Sequence, residues 1–222
     1  MIDISFPTFS KEIKREPPFS LCCIRENKES LIQFMMALHS ERYTDVLVAY
    51  NEEKATFWDK DNIRFIDSVL FVDPNDKKNL AALRKQLKKR YLVNLNESAD
   101  CIASTLTKAF DEIKLDYDVE LYSDISLKPE DILKLMDIKV NIPIGSLLER
   151  VLQYLKVSIE LAGTKLFVFH HISFYLSEDD ISSIIHELNL MGGSLIDFES
   201  SSEFSDQFDK KIIFDQDFTA IE

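Results

Sequence analysis

The spacing of apolar positions changes along the chain and separates strand-like ends from a helical middle. Irregular alternation over residues 2–24 predicts short strands or a hairpin. The spacing in residues 27–41 predicts a helix, and the apolar run of residues 44–51 predicts a buried strand. The sequence FWDKDN at residues 57–62 predicts a turn, and the apolar segment 63–73 is predicted to end in another strand.

The middle of the chain has helical spacing. A long helix is predicted from near Asp76 to about Lys114, with a break at residues 94–96. Shorter helices are predicted at residues 129–137 and 146–161, where leucines and other apolar residues recur every three or four positions.

The last quarter of the chain has the pattern strand, helix, strand. Residues 165–173 form an apolar run typical of a buried strand, and residues 177–190 predict a helix that Ser177 caps. Residues 194–200 and 210–215 predict two further strands. A strand, a helix and a strand at this spacing indicate a right-handed crossover in a mostly parallel sheet.

We therefore predict an α/β fold with one domain interrupted by an insertion. Residues 1–72 and 162–222 are predicted to form the mostly parallel sheet domain, and residues 73–161 the inserted helical domain. Only 4 glycines and 6 prolines are present, which argues against an all-β protein with many tight turns.

Composition narrows the class of protein. Hydrophobic residues make up 45% of the 222 positions, enough for a packed core. Cys22, Cys23 and Cys101 form neither a disulfide framework nor a metal-binding spacing, so a reducing cytoplasm is expected. We expect no secretory signal and no membrane span. The formal net charge of −13, taken alone, argues against nucleic acid as a partner.

No catalytic signature is present, and we predict that the protein is not an enzyme. The phosphate-binding loop of nucleotide hydrolases is missing, since Gly163–Lys165 precedes a strand instead of following one. His170 and His171 end a predicted strand, and alternation would point them to opposite faces, so they could not act as a pair. A degenerate phosphate-binding enzyme using one of them remains an alternative.

A basic face is predicted at the start of the long helix. Residues 77–90 hold seven basic residues and no acid. Such a face can follow the phosphates of a nucleic acid without reading its sequence. Equally, it could be a solvated face that pairs with acids of a neighbouring element. The candidate DNA-binding residues share this face: Lys77, Lys78, Arg84, Lys85, Lys88 and Lys89.

An acidic segment follows the long helix, with eight carboxylates within residues 111–131. Asp116, Asp118 and Glu120 alternate with apolar residues, which in an extended chain would place the three carboxylates on one side. Oxygen ligands in a flexible segment suit Ca²⁺. An exposed acidic edge strand explains the pattern equally well.

Four stretches, in this order, resemble the Csn-two family of type II-A CRISPR systems. They cover somewhat over half of the chain, and the resemblance lies in pattern and order, not in a catalytic motif. The stretches are FWDKDNIRFIDSVLFVDPNDKKNLAALRKQLKKRY, LDYDVELYSDISLKPEDILKLMDIKV, KLFVFHHISFYLSEDDISSIIHELNLMGGSLIDFES and KKIIFDQDFTAI.

The resemblance implies an α/β domain like that of P-loop NTPases without the phosphate loop, carrying an elongated helical insertion. It implies a ring of four subunits whose basic inner surface encircles double-stranded DNA and loads from free ends, with calcium stabilising the ring. It implies a role in spacer acquisition beside the core integration proteins and the effector nuclease.

Carried over by position, Asp118, Glu120 and Asp124 are the calcium candidates, with Asp116 in reserve. The six basic residues of the helix are the DNA candidates. A ring with an acidic exterior and a basic lumen would reconcile DNA binding with a net charge of −13. The alternative is an acidic protein–protein interaction module that does not bind DNA.

Overall fold

The computed structural model describes residues 1–6, 11–25, 36, 47–52, 56–58, 62–142, 145–214 and 220–221. The chain forms two compact units, one of residues 1–74 with 142–222 and the other of residues 75–141. The helix predicted at residues 27–41 lies outside the described residues, apart from Met36.

The N-terminal strands form an antiparallel sheet in the first unit. Ile4 at its centre pairs with Ile13 on one side and with Ala49 on the other. The predicted hairpin is thereby confirmed, but part of the predicted turn at residues 57–62 is a strand. The strands, in the order β2-β1-β4-β5, are β1 (Ile2–Phe6), β2 (Lys11–Arg15), β4 (Val48–Asn51) and β5 (Thr56–Trp58).

A second sheet of the first unit is parallel except at one edge, which confirms the predicted mostly parallel α/β sheet. The last strand pairs antiparallel with its neighbour, and the other pairs are parallel. The strands, in the order β10-β9-β3-β8-β7-β6, are β3 (Ser20–Arg25), β6 (Ile63–Ile66), β7 (Leu166–His170), β8 (Ser194–Glu199), β9 (Lys210–Phe214) and β10 (Ala220–Ile221).

The strand predicted at the end of segment 63–73 was wrong. The segment begins with strand β6 instead of ending in a strand. Val69–Phe71 forms a 3-10 helix that Ser68 caps. A short apolar run does not distinguish these structures by periodicity. The 3-10 helix buries Val69 and leaves Phe71 exposed, so one apolar residue of this run faces solvent.

The second unit is helical. Helix α1 spans Lys77–Lys114 and helix α2 spans Pro129–Met136. They pack through Leu95 and Ala99 of α1 and Ile132 and Leu133 of α2. At the base of the unit, the Asn75 side chain donates to the Val140 carbonyl (2.9 Å) and accepts from the Val140 N–H (2.8 Å).

Helices α3 (Leu147–Ala162) and α4 (Glu178–Leu190) belong to the first unit. The insertion was predicted to extend to residue 161, whereas the second unit ends at residue 141. Val151 and Leu155 of α3 are completely buried in the same apolar cluster as Phe167 of β7, which places α3 with the sheet.

The first unit has three layers. Strands β3, β7 and β8 are buried on both sides, as expected of a covered parallel sheet. On one face, Cys23 and Phe198 pack with the antiparallel sheet, and on the other, Cys22 and Leu195 pack with α3 and α4. Within the described residues, no helix combines the length and the apolar character needed to cross a bilayer.

Candidate nucleic-acid interface

The basic residues lie on the first half of α1. The Asp76 carboxylate caps the helix by accepting from the Asn79 N–H at 2.7 Å. This half ends at Tyr91, where φ −119° and ψ 26° interrupt the helical backbone. The kink falls three residues before the break predicted at residues 94–96, so the basic segment is one straight helix of about four turns.

The six DNA candidates form two stripes on this helix. Residues separated by seven and then four positions recur on one side of an α-helix. One stripe, which we call the outer stripe, is exposed at all three of its positions, and the other, the inner stripe, is half-buried at two of its three positions. The outer stripe is Lys78, Lys85 and Lys89, and the inner stripe is Lys77, Arg84 and Lys88.

The inner stripe faces acids of its own unit. The Lys88 ammonium forms an ion pair with the Glu130 carboxylate at the start of α2, and this hydrogen bond lowers the pKa of Glu130. The pKa of Asp137 is lowered by a hydrogen bond and charge from Lys139 and, to a smaller degree, by the charge of Arg84. Part of the basic face is therefore already neutralised inside the unit.

The outer stripe lies at the surface of the unit. Lys78, Lys85 and Lys89 are exposed, and Lys78 and Lys89 are separated by about 17 Å along the helix axis at 1.5 Å per residue. That length corresponds to about five base pairs of duplex DNA at 3.4 Å per step. The stripe is therefore suited to a few phosphate contacts along one strand.

The calcium candidates lie on the segment between α1 and α2. Asp118, Glu120 and Asp124 are exposed, and residues 117–128 have no strand or helix, so the expected edge strand is not formed. Tyr117 and Val119 are exposed as well, so the alternating pattern buries no face. Among the described residues, no three His, Cys, Asp or Glu side chains are placed to hold a metal ion. The described part of one subunit therefore contains no complete calcium site.

The two histidines at the end of β7 are in contact, contrary to the prediction that they point to opposite faces. Their ring centroids are 4.3 Å apart in an edge-to-face arrangement. Alternation fails because β7 ends at His170 and His171 takes a left-handed backbone with φ 52°. Burial, followed by the charge of His171, lowers the pKa of His170 to about 4, so His170 is neutral at pH 7.

An apolar stripe on the second half of α1 was missed in the sequence analysis. Ile102, Leu106 and Ile113 are 36%, 46% and 49% exposed and continue the line of the buried Leu95 and Ala99. Their spacing of four and seven residues in the sequence could have predicted that they lie on one side of the helix. We call these three residues the apolar stripe.

Comparisons with known proteins bear on the family. A solved structure of an ATP-binding cassette of an ABC transporter, in its ADP conformation, aligns with 96% of this chain and 86% of its own, at 11% identity and a TM-score of 0.43. A similarity at that level does not establish a shared fold or a shared function. The comparison with curated proteins gave no match.

The fold and the surface define an α/β protein with a mostly parallel sheet and an inserted helical unit that carries a basic stripe. Residues 45–218 match the family profile described as "CRISPR-associated protein (Cas_Csn2)". The match extends over well over half of the chain, and the protein belongs to the Cas_Csn2 family.

Proposed function

We propose that this protein is a non-catalytic, ring-forming protein that binds double-stranded DNA during CRISPR spacer acquisition. The family provides the CRISPR association. The observation that carries DNA binding is the outer stripe, three exposed lysines on one line of a capped helix. This arrangement supplies positive charge at positions that a phosphate backbone can reach.

Binding through this stripe is electrostatic. Each lysine that contacts a phosphate releases condensed counterions, which favours binding and makes it sensitive to salt. Phosphate contacts fix the position of a protein on a duplex without reading bases. We therefore propose a binding mode that tolerates any sequence, as capture of unrelated DNA fragments requires.

The distribution of charge supports this proposal despite the acidic composition. The helical unit of residues 75–141 contains 12 lysines and arginines and 12 acids, whereas the rest of the chain contains 14 and 27. The entire net charge of −13 thus belongs to the α/β unit. DNA binding by the helical unit is compatible with a protein whose total charge is negative.

The apolar stripe supports assembly into the homotetramer of the proposal. Ile102, Leu106 and Ile113 lie on the same helix as the lysines but in its other half. A line of exposed apolar side chains gains free energy when another surface removes it from water. If the apolar stripe of a second copy of the chain packed against this one, both stripes would be removed from water.

Calcium remains part of the proposal as a ligand shared between subunits. The exposed carboxylates of Asp118, Glu120 and Asp124 have the oxygen chemistry that Ca²⁺ prefers, but they do not converge within one subunit. We propose that carboxylates from a second subunit complete the coordination. Assembly and calcium binding are then coupled, since each supplies what the other needs.

The proposed partners follow from the proposed role. We place the protein in the cytoplasm, beside the core integration proteins that insert new spacers and the effector nuclease. Its part there is to hold a DNA fragment, without cutting it.

A second candidate function is that of an acidic protein-interaction module. The ion pair between Lys88 and Glu130 favours it, because it shows that part of the basic face is used inside the unit. On this alternative the acidic α/β unit, with its net charge of −13, binds a basic partner protein.

An electrophoretic mobility shift at low salt separates the two functions. Linear and closed circular duplex DNA of one sequence are compared, each with calcium and with a chelator. An end-loading ring binds linear DNA in calcium, fails on closed circles and loses affinity steeply as salt rises.

Three outcomes contradict parts of the proposal. Absence of binding to both forms of DNA contradicts DNA binding and favours the interaction module. Equal binding to both forms contradicts encirclement. Full binding and full assembly in chelator contradict the role of calcium. Light scattering of the double variant Asp118→Ala with Glu120→Ala tests the same role independently, since we expect its assembly to lose any dependence on calcium.

A further inference from the structure

Two acids lie side by side in the interior of the α/β unit, outside the proposed DNA interface. Asp197 and Glu199 are two positions apart on β8 and therefore on the same face of the sheet. They are 0% and 4% exposed. Asp197 stands between Cys22 of β3 and Phe169 of β7, which offer no charge. Two buried carboxyl groups at this spacing do not both ionise readily.

The hydrogen-bond donors around the two acids are unequal. Glu199 accepts from His171 Nδ1 at 2.9 Å through one oxygen and from the Ser173 N–H at 3.0 Å through the other. Asp197 Oδ1 accepts from the Ile172 N–H at 3.5 Å, a long contact, the Phe198 N–H of its own strand contributes weakly, and Oδ2 has no donor among the described residues. A negative charge is therefore better accommodated on Glu199 than on Asp197.

The remaining titratable groups of the neighbouring strands do not supply a cation to Asp197. Burial raises the pKa of Cys22 and Cys23, so both thiols remain neutral. Arg25 lies over the Phe198 ring, 4.9 Å from its centroid, and Phe198 belongs to the opposite face of the sheet. His170, the other neighbouring titratable side chain, is neutral at pH 7 and lies against His171.

We propose that Asp197 and Glu199 hold one proton between them, with Asp197 as a neutral acid that donates to the Glu199 carboxylate. Two carboxyl groups form a hydrogen bond only when one of them carries a proton. The charged Glu199, fixed in this way, holds the turn that follows β7.

The turn needs such support because His171 adopts a left-handed backbone, which is unfavourable for a residue with a side chain. The His171 N–H donates to the Phe198 carbonyl at 3.0 Å, and its ring donates to Glu199. The Ser173 N–H donates to the same carboxylate. The acid pair thus connects β8 to the end of β7 through both backbone and side chain.

The electrostatics agree with this assignment. Burial, followed by the charge of Glu199, raises the pKa of Asp197 well above its ordinary value. Burial alone would raise the pKa of Glu199, but hydrogen bonds from His171, Asp197 and Ser173 outweigh it and lower that pKa to about 2.

The two acids affect stability in opposite directions. The raised pKa of Asp197 makes the folded state lose stability as pH rises from the unfolded pKa of about 4 to the folded value. The depressed pKa of Glu199 gives stability above about pH 4 that is lost as pH falls to about 2. Between pH 5 and the folded pKa of Asp197, the Asp197 effect varies with pH whereas the Glu199 effect does not.

Infrared spectroscopy of the full-length protein tests the protonation state without any substitution. At pH 7 we expect a carbonyl band of a protonated carboxylic acid that shifts when aspartate, and not glutamate, carries a ¹³C carboxyl label. Absence of the band overturns the proposal. A shift on labelling glutamate instead would place the proton on a glutamate and would contradict its assignment to Asp197.

Asp197→Asn provides the second measurement, because an amide donates to Glu199 as the protonated acid does. We expect the unfolding equilibrium constant of the unsubstituted protein, divided by that of this variant, to rise up to tenfold per pH unit above pH 5. Glu199→Gln is the control that removes the charge and loosens the turn. A ratio that does not change with pH, or that falls, overturns the proposal.

Discussion

The two units of this protein differ most in what they do with apolar side chains. In the α/β unit, β8 is buried at all six positions from Ser194 to Glu199, and the strand is covered on both faces. In the helical unit, α1 is 38 residues long and buries only Asn79, Leu95 and Ala99. The first unit has an interior of its own, whereas the second exposes side chains that normally lie in an interior.

The units also differ in how they use charge. The α/β unit carries the whole net charge of −13 and contains a pair of buried acids in its core. The helical unit is neutral in sum and separates its charges, with bases at the start of α1 and acids after its end. Stability is thus concentrated in one unit, and surfaces suited to binding in the other. Four substitutions or sets of substitutions examine this division.

The largest effect on stability is expected from Phe198→Ala in the α/β unit. The Phe198 ring is completely buried and packs edge-to-face against Phe6 of the antiparallel sheet at 6.1 Å. Its removal leaves a cavity between the two sheets, which typically costs about 3–5 kcal/mol. Denaturant unfolding measures the loss.

Leu135→Ala in α2 is the control for Phe198→Ala. Because Leu135 is 69% exposed and lies outside the apolar stripe, we expect its truncation to cost less than about 0.5 kcal/mol. Similar losses for the two variants would contradict the division of stability between the units.

The apolar stripe is expected to control assembly. Ile102→Asp with Leu106→Asp places two charges on surface that the ring would bury, so we expect the tetramer to dissociate while the subunit stays folded. Light scattering gives the mass, and circular dichroism monitors folding. Ser104→Asp with Thr107→Asp adds the same charge to exposed positions of the same helix and should leave the mass unchanged. Dissociation by both pairs would point to charge repulsion instead of lost contact.

Local signals in the sequence were sufficient for helices α2, α3 and α4. In α3, Ser146 and Glu149 form the capping box that marks a helix start, and the apolar spacing continues from there. The apolar run of β7 likewise predicted its burial. Each of these features depends on residues a few positions apart, so it could be predicted from the sequence of one chain.

What escaped prediction depends on residues that are distant in sequence or on a single backbone angle. Glu130 lies 42 positions from Lys88, so nothing near the lysine indicated that it is paired. His171 contacts His170 because of one left-handed residue, which alternation cannot anticipate. The basic face was therefore found from the sequence, but its division into two stripes required the fold.

The two stripes of basic residues provide matched sets of substitutions. Replacing Lys78, Lys85 and Lys89 with Ala removes three exposed charges, and replacing Lys77, Arg84 and Lys88 removes three at the same spacing. We expect the outer set to lower the slope of log affinity against log salt by about 2.7 for each subunit on the DNA, at about 0.9 per phosphate contact.

The inner set should lower the slope less, because Lys88 and Arg84 already face carboxylates. Titrations of labelled duplex DNA at several salt concentrations measure both slopes. Equal losses would mean that net charge alone matters, and a larger loss for the inner set would place the DNA on the other side of α1.

The smallest effects are expected from two helix caps, one in each unit. Ser146 accepts from the Glu149 N–H at 3.2 Å at the start of α3, and Asp76 accepts from the Asn79 N–H at 2.7 Å at the start of α1. Replacing either with Ala should cost about 1 kcal/mol, or about fivefold in an equilibrium constant.

Because α3 is packed in the core of the α/β unit, Ser146→Ala should lower the free energy of global unfolding. Asp76→Ala should instead speed amide hydrogen exchange within residues 77–90 alone, since Asn79 is the one buried residue in that half of α1. Faster exchange across the α/β unit in Asp76→Ala would show that the basic helix is not an independent element but part of the main cooperative structure.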